Sequence, residues 1–185
     1  MIDDAMTDAE LKMDAAVEHT RAEFMKIRTG RAQPSLVNDL MVEYYGTPTA
    51  LNQLAGVSVA EARLLVITPY DKGAMKEIER SISQSDLGLN PTNDGIVIRV
   101  KFPELTEERR KQFVKLAKER AEDGRVSVRN IRRHAKSEID RLAKDGKVSD
   151  DDAHRGDKQL QELTDHHIAA IDKLLVNKEK ELLEV

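Results

Sequence analysis

The sequence predicts an α+β fold in which a long three-helix arm carries a small mixed α/β module, inserted after its first helix. Three observations predict it. Apolar residues recur at steps of three and four through both ends of the chain, the period of an amphipathic helix. The stretch between them changes to short β-branched and aromatic runs broken by proline and glycine, which is strand and turn chemistry. Charged residues fill 35% of the 185 positions against 3% aromatics, a composition that builds wide solvated helix faces rather than one thick core.

From Ile2 to Ile27 the seam is Met6, Ala9, Met13, Ala16, Thr20, Phe24 and Ile27, with charges between them, so this is one amphipathic helix. Gly30 permits the left-handed turn that ends a helix, and Pro34 blocks its resumption. Between Arg31 and Glu104, strands are expected at Leu40 to Tyr45, Leu64 to Thr68 and Ile96 to Phe102. Gly46-Thr47-Pro48 and the run Asn90 to Gly95 supply turns, and Asp94-Gly95 ahead of a strand signals a hairpin. Met75, Ile78 and Ile82 mark a short helix from about Asp71 to Ser85. Thr106 then caps a second long helix whose seam runs through Phe113, Ala117, Ala121, Gly124, Val128, Ile131, Ala135, Ile139 and Leu142. Ser149, followed by Asp150, Asp151 and Asp152, opens a third helix with Ala153, Leu160, Leu163, His167, Ile171, Leu174 and Leu182 on its seam. Each of these helices has a narrow apolar stripe, so the three need one another. The module is therefore an insertion with two connections, near Gly30 and Pro103, about which the two parts can change their angle.

The absence of cysteine excludes disulfides, thiolate nucleophiles and cysteine zinc sites, and fits a reducing cytosol. The start, Met1-Ile2-Asp3-Asp4, lacks the basic and apolar regions of a secretory signal, and no apolar run approaches the roughly 20 residues of a membrane span. A cytoplasmic protein without membrane contact is expected. No dinucleotide or phosphate-cradling glycine motif and no HExxH occurs, so no active site and no cofactor are expected. His166 and His167, with Glu162 one turn earlier, read as core or surface histidines rather than a metal cluster. The three aspartates after Ser149 read as helix-start anions, so no metal is expected either.

The net charge of -4 is unevenly placed. From Arg125 to Lys136 there is no acidic residue, and Arg125, Arg129, Arg132 and Lys136 fall within about 60° of one another on a helix, beside the seam. Arg109, Arg110, Lys111, Lys115 and Lys118 add charge near the start of that helix, and Arg28 and Arg31 lie where the first helix ends. Two readings of the ridge stand level: cations that pair with acids on neighbouring helices, or a nucleic-acid surface whose arginine forks match phosphate. An acidic protein partner is a third. With so few aromatics for base stacking, the backbone of folded RNA is the better nucleic-acid ligand.

Several motifs resemble the ribosome recycling factor family, whose members help dismantle the ribosome after termination. They include Ile27-Arg28-Thr29-Gly30-Arg31-Ala32, Tyr44-Tyr45-Gly46, Pro69-Tyr70-Asp71 and the run Ser85 to Gly95. Leu105-Thr106-Glu107-Glu108-Arg109-Arg110 and Val128-Arg129-Asn130-Ile131-Arg132-Arg133 continue the likeness, which spans the whole chain. The resemblance implies an L-shaped, two-domain α+β protein: a long antiparallel three-helix bundle in residues 1–29 and 105–185, and an inserted β/α/β domain in residues 31–103. It implies hinges at Thr29, Gly30 and Arg31 and at Pro103, Glu104, Leu105 and Thr106, and a monomer, since a closed bundle needs no second copy. It further implies a large ribosomal subunit whose rRNA is touched by Arg28, Arg31, Arg110, Arg129, Arg132 and Arg133, with Arg132 foremost. The second implied partner is elongation factor G, which pushes the smaller domain during GTP hydrolysis so that the subunits part. His134 and Thr68 depart from the family pattern without touching the arginine set. A helical scaffold or chaperone-like bundle that holds protein partners or generic RNA remains the alternative.

Overall fold

The computed structural model describes residues 1–184. In chain order its first elements are α1 (Ile2–Met25), α2 (Ser35–Asn38), β1 (Met41–Tyr44), β2 (Thr47–Ala50), α3 (Leu51–Leu54), β3 (Ala55–Glu61) and β4 (Leu64–Pro69). A 3-10 turn at Lys72–Ala74 then leads into α4 (Met75–Gln84), β5 (Asn90–Asn93), β6 (Ile98–Lys101), α5 (Glu107–Lys144) and α6 (Asp150–Leu183). These fall into two compact units, one of Arg28–Arg109 and the other of Met1–Ile27 with the chain from Arg110 onward.

The helical unit packs α1, α5 and α6 through residues the helical period marks: Ala9, Met13, Phe24 and Ile27 with Ala117, Ala121, Val128, Ile139, Leu160, Ile171 and Leu182. Ala9, Ala117, Ala121 and Ala135 belong to this core, and the helices come close where side chains are smallest. At Gly124 an added Cβ would overlap the Thr20 hydroxyl and stand 3.1 Å from the Ile171 Cδ1 methyl. Thr20 is buried there and turns its hydroxyl back to donate to the Ala16 carbonyl at 3.0 Å. Both long helices are capped as their sequences require. The Arg109 amide donates to Thr106 Oγ1 at 3.2 Å and the Asp152 amide to Ser149 Oγ at 3.0 Å, each cap contributing about 1 kcal/mol. Between α5 and α6, Gly146 adopts a φ of +67°. On α6, His167 is buried, with its ring nitrogens 2.7 Å from the Leu163 carbonyl and 2.7 Å from the Asp14 carboxylate. His166 is exposed beside it.

The Arg28–Arg109 unit has a four-stranded antiparallel sheet in the order β3-β4-β6-β5, and a separate β1-β2 hairpin. Strand β6 alternates as its sequence does, Ile98 and Val100 inward and Arg99 and Lys101 outward. Ile78 and Ile82 of α4 join Leu65, Ile67, Ile98, Val100 and Phe102 in one core.

Several elements differ from the sequence expectation: Thr47 and Pro48, read as a turn, lie in strand β2, and the short helices α2 and α3 were not expected. Helix α1 stops at Met25 rather than Ile27, although Ile27 stays in the core. Strand β5 occupies Asn90–Asn93, residues read as a turn: Pro91 lacks an amide donor, but β5 is an edge strand where that loss is tolerated, and the hairpin turn is confined to Asp94–Val97. Strand β3 was not expected, because Val57 and Val59 form too short an alternation to stand out before pairing with β4 supplies the partner. The segments at Thr29–Arg31 and Pro103–Thr106 belong to the second unit. Ala32 donates to the Ala62 carbonyl at 2.8 Å, Phe102 to that of Arg63 at 2.7 Å, and Arg63 pairs with Glu104 at 2.7 Å.

Candidate nucleic-acid interface

Helix α5 holds four of the six candidate arginines because a single uninterrupted helix runs from Glu107 to Lys144. Arg129, Arg132 and Arg133 lie within about 100° of arc and two turns of each other, while Arg110 sits roughly 28 Å away along the same axis. Arg110 donates to the Glu184 carbonyl at 3.3 Å.

The ridge is divided by its neighbours. Arg125 is held by Asp172 of α6 at 2.7 Å and by Glu122 at 3.0 Å, and these acids outweigh its partial burial and raise its pKa. Lys136 lies 3.3 Å from Asp140 and 3.5 Å from Asp157 of α6, which also raises its pKa. Arg129 reaches back along its own helix to Glu122 at 2.9 Å. The Glu122 carboxyl is kept below the usual range by its bonds to Arg129 and Arg125. Arg132 and Arg133, in contrast, make no ion pair among the described residues. Arg133 is exposed, and half-buried Arg132 keeps its Nε enclosed without a hydrogen-bond partner. The pairing reading holds for Arg125 and Lys136, which meet acids of the third helix, while Arg132 and Arg133 have no ion pair among the described residues.

The residues that divide the ridge, Asp157 and Asp172, were not singled out from sequence, because their meeting with α5 depends on the packing of α6. Glu122 was legible, three residues before Arg125 and seven before Arg129.

The remaining two candidates belong to the other unit. Arg28 donates through Nη1 to the Leu87 carbonyl at 3.2 Å, and its guanidinium lies 6.0 Å from the centre of the Phe102 ring. Burial, and then the charge of Arg109, lower its pKa, and its Nε and Nη2 have no hydrogen-bond partner among the described residues. Arg31 is exposed. No group of three or more potential metal ligands occurs among the described residues. None of the described helices is long and apolar enough to cross a membrane.

Residues 20–183 match the family model described as ribosome recycling factor. The chain belongs to the ribosome recycling factor family. It is 57% identical over its full length to the full-length ribosome-recycling factor of Acidothermus cellulolyticus, and 51% identical, again across all of both chains, to that of Streptomyces coelicolor. A solution structure of the ribosome recycling factor superposes with a TM-score of 0.80 at 42% identity, covering 100% of this chain and 98% of that one. A second match, with a TM-score of 0.70 at 41% identity and full coverage of both chains, is the T. thermophilus ribosome recycling factor in models with E. coli elongation factor G bound to the E. coli post-termination complex. Family membership fixes the α+β fold class, long helices with a small sheet unit, that the periodicity predicts.

Proposed function

We propose that the protein recycles ribosomes: it binds the post-termination ribosome on the large subunit and, with elongation factor G and GTP hydrolysis, splits it into subunits. The observation that carries the residue assignment is the division of the α5 ridge. A cation already held by two carboxylates gains little from a phosphate, whereas Arg132 and Arg133 have no acid to give up among the described residues. They head the rRNA-binding set, with Arg129, Arg110, Arg28 and Arg31 in support. Thr29, Gly30 and Arg31 with Pro103, Glu104, Leu105 and Thr106 form the proposed hinge. Gly30, at a φ of +81°, breaks any helical continuation, and none of these seven residues is in a helix or strand. The protein performs no covalent chemistry in this account and works as a cytoplasmic monomer that transmits force from the GTPase.

Light scattering from post-termination ribosomes mixed with the protein, elongation factor G and GTP tests this. A fall in scattering that requires all three is expected, and its absence with matched, folded factors would overturn the proposal. Ribosome binding that falls steeply with salt is expected too, because phosphate contacts release counterions. Salt-insensitive binding would favour a scaffold for protein partners.

A further inference from the structure

Cations of α5 are met by acids of α6 at three levels. Lys118 lies 3.8 Å from Glu179, Arg125 lies 2.7 Å from Asp172 and Lys136 lies 3.5 Å from Asp157, so the two helices run antiparallel and these pairs set their register. On α6, Asp157, Gln161, Thr164, Ile168, Asp172 and Glu179 follow one another at steps of three, four and seven. That spacing keeps them within about 80° of arc, on the flank that meets α5. The acids stand at the two ends of this flank, and its middle, Gln161, Thr164 and Ile168, is uncharged.

The uncharged stretch lies opposite the middle of the ridge. In the register of the ion pairs Arg129 falls across from Ile168, and Arg132 across from residues 161–165. Asp165, at the border of that stretch, accepts from Gln161 Nε2 at 2.8 Å and makes no ion pair among the described residues. Arg129 is held by Glu122 of its own helix, while Arg132 and Arg133 meet no acid among the described residues. The stripe is therefore closed by carboxylates toward both ends and open over roughly 6 Å of helix axis, where the full run from Lys118 to Lys136 would span about 27 Å.

Sequence-independent binding to RNA grows with the number of cations that reach phosphate. A long open stripe rewards any strand laid along it. A short one rewards a phosphate arrangement that fits it. An exposed ion pair is weak, so an acid beside a cation does not bar a phosphate but lowers what that phosphate gains. Carboxylates fixed at both ends of the ridge thus cost a generic strand several contacts, and cost a site built around the open middle few.

We infer that Asp157, Asp172 and Glu179 are selectivity residues: they hold the ends of the α5 ridge back from RNA in general, and the uncharged gap between them leaves the window at residues 129–133 to the phosphates of the ribosomal site. This rests on the rRNA contact proposed above. It adds that the acids of α6, as well as the arginines of α5, decide which RNA is taken.

Titration of the full-length protein with a short RNA duplex of non-ribosomal sequence, across a salt series and beside titration with post-termination ribosomes, tests it. Asp157→Asn with Asp172→Asn removes the α6 partners of Lys136 and Arg125. The double variant is expected to bind the duplex about tenfold more tightly at low salt and to steepen the slope of log affinity against log salt by about 1 to 2. Its ribosome binding is expected to rise by no more than about threefold, so its preference for ribosomes falls. Asp157→Glu with Asp172→Glu keeps both acids and is expected to match the unaltered protein. Glu10→Gln, at an exposed acid of α1 that makes no ion pair among the described residues, controls for net charge and is expected to change duplex binding by less than about twofold. Gln161→Glu puts an acid into the gap and is expected to weaken ribosome binding by about threefold or more. An unchanged duplex slope in the double asparagine variant, or an equal gain from Glu10→Gln, would overturn the inference. Scattering reads the splitting of ribosomes separately: its failure with the unaltered protein sinks the function proposed above, while the duplex slopes still decide the role of the acids.

Discussion

The helical unit meets solvent with arginines along one helix, whereas the Arg28–Arg109 unit meets it with tyrosines around one carboxylate. In the first, Ala117, Ala121 and Gly124 bring the helices close within a core that also holds Met13, Phe24, Ile139, Leu160 and Ile171, and the cations project from a face beside it. In the second, the core is mainly isoleucine, leucine and valine around Phe102, and the exposed Tyr45 ring is held by the same hairpin that it closes. The difference teaches that charge and aromatic clustering are separated in sequence as well as in chemistry.

The largest expected effect tests the cation side. Arg132→Ala is expected to weaken ribosome binding by about tenfold or more, the loss of one charge-assisted contact, and to lower the slope of log affinity against log salt by about 1. Chemical denaturation of the same variant is expected to stay within about 0.5 kcal/mol of the unaltered protein, since no intramolecular partner is lost. Arg125→Ala, whose charge is already paired, sharpens the contrast by costing less affinity. Equal losses from both variants would mean that the ridge acts as a diffuse field rather than through its free members.

A smaller effect probes the close helix approach. Gly124→Ala gains helix propensity of about 1 kcal/mol but must displace a buried, hydrogen-bonded Thr20, so a net loss of about 1 to 3 kcal/mol is expected in urea unfolding. Thr20→Ala in the same chain is expected to restore most of it. A stabilised single variant would show that the helices can part at no cost.

Lys178 offers a gain of similar kind. It is buried on α6, and burial lowers its pKa against the opposing pull of Glu181. The unfolded chain therefore holds that proton to higher pH than the folded one, and stability rises with pH between the folded value and the ordinary lysine value. Lys178→Met is expected to stabilise the helical unit by about 1 kcal/mol at neutral pH and to abolish that slope. Calorimetry across alkaline pH reads both.

The smallest effect lies in the sheet unit. Asp94 accepts from the Val97 amide, the Arg99 side chain and the Ile96 amide, which hold its carboxyl well below the usual range. Its contribution to the β5-β6 turn is complete above the ordinary aspartate pKa and is lost only as pH falls through the lower folded value. The Ile96 and Val97 amide resonances are expected to keep their positions through the pH at which free aspartates titrate. Movement there would show that the turn does not hold the carboxylate.

The helices were legible because period, caps and breakers agree: Thr106 and Ser149 cap where their sequences say, and Gly146 ends α5. Strand β5 was not, because Asn90, Pro91 and Asn93 favour turns and become a strand only through their pairing with β6. The same limit governs the candidate site. The run of cations was plain in the sequence, but which of them are free depends on Asp157 and Asp172 arriving from another helix. The tyrosines were visible as two motifs, and nothing in their spacing said that Asp71 would join them across the fold.

One continuous helix, α5, carries the chain from the Arg28–Arg109 unit into the helical unit, since the boundary at Arg109 and Arg110 falls inside its first turn. A rod of 38 residues is about 57 Å long. An unbroken hydrogen-bond ladder from Glu107 to Lys144 makes that rod stiff along its whole length, so the four candidate arginines on it keep fixed spacings.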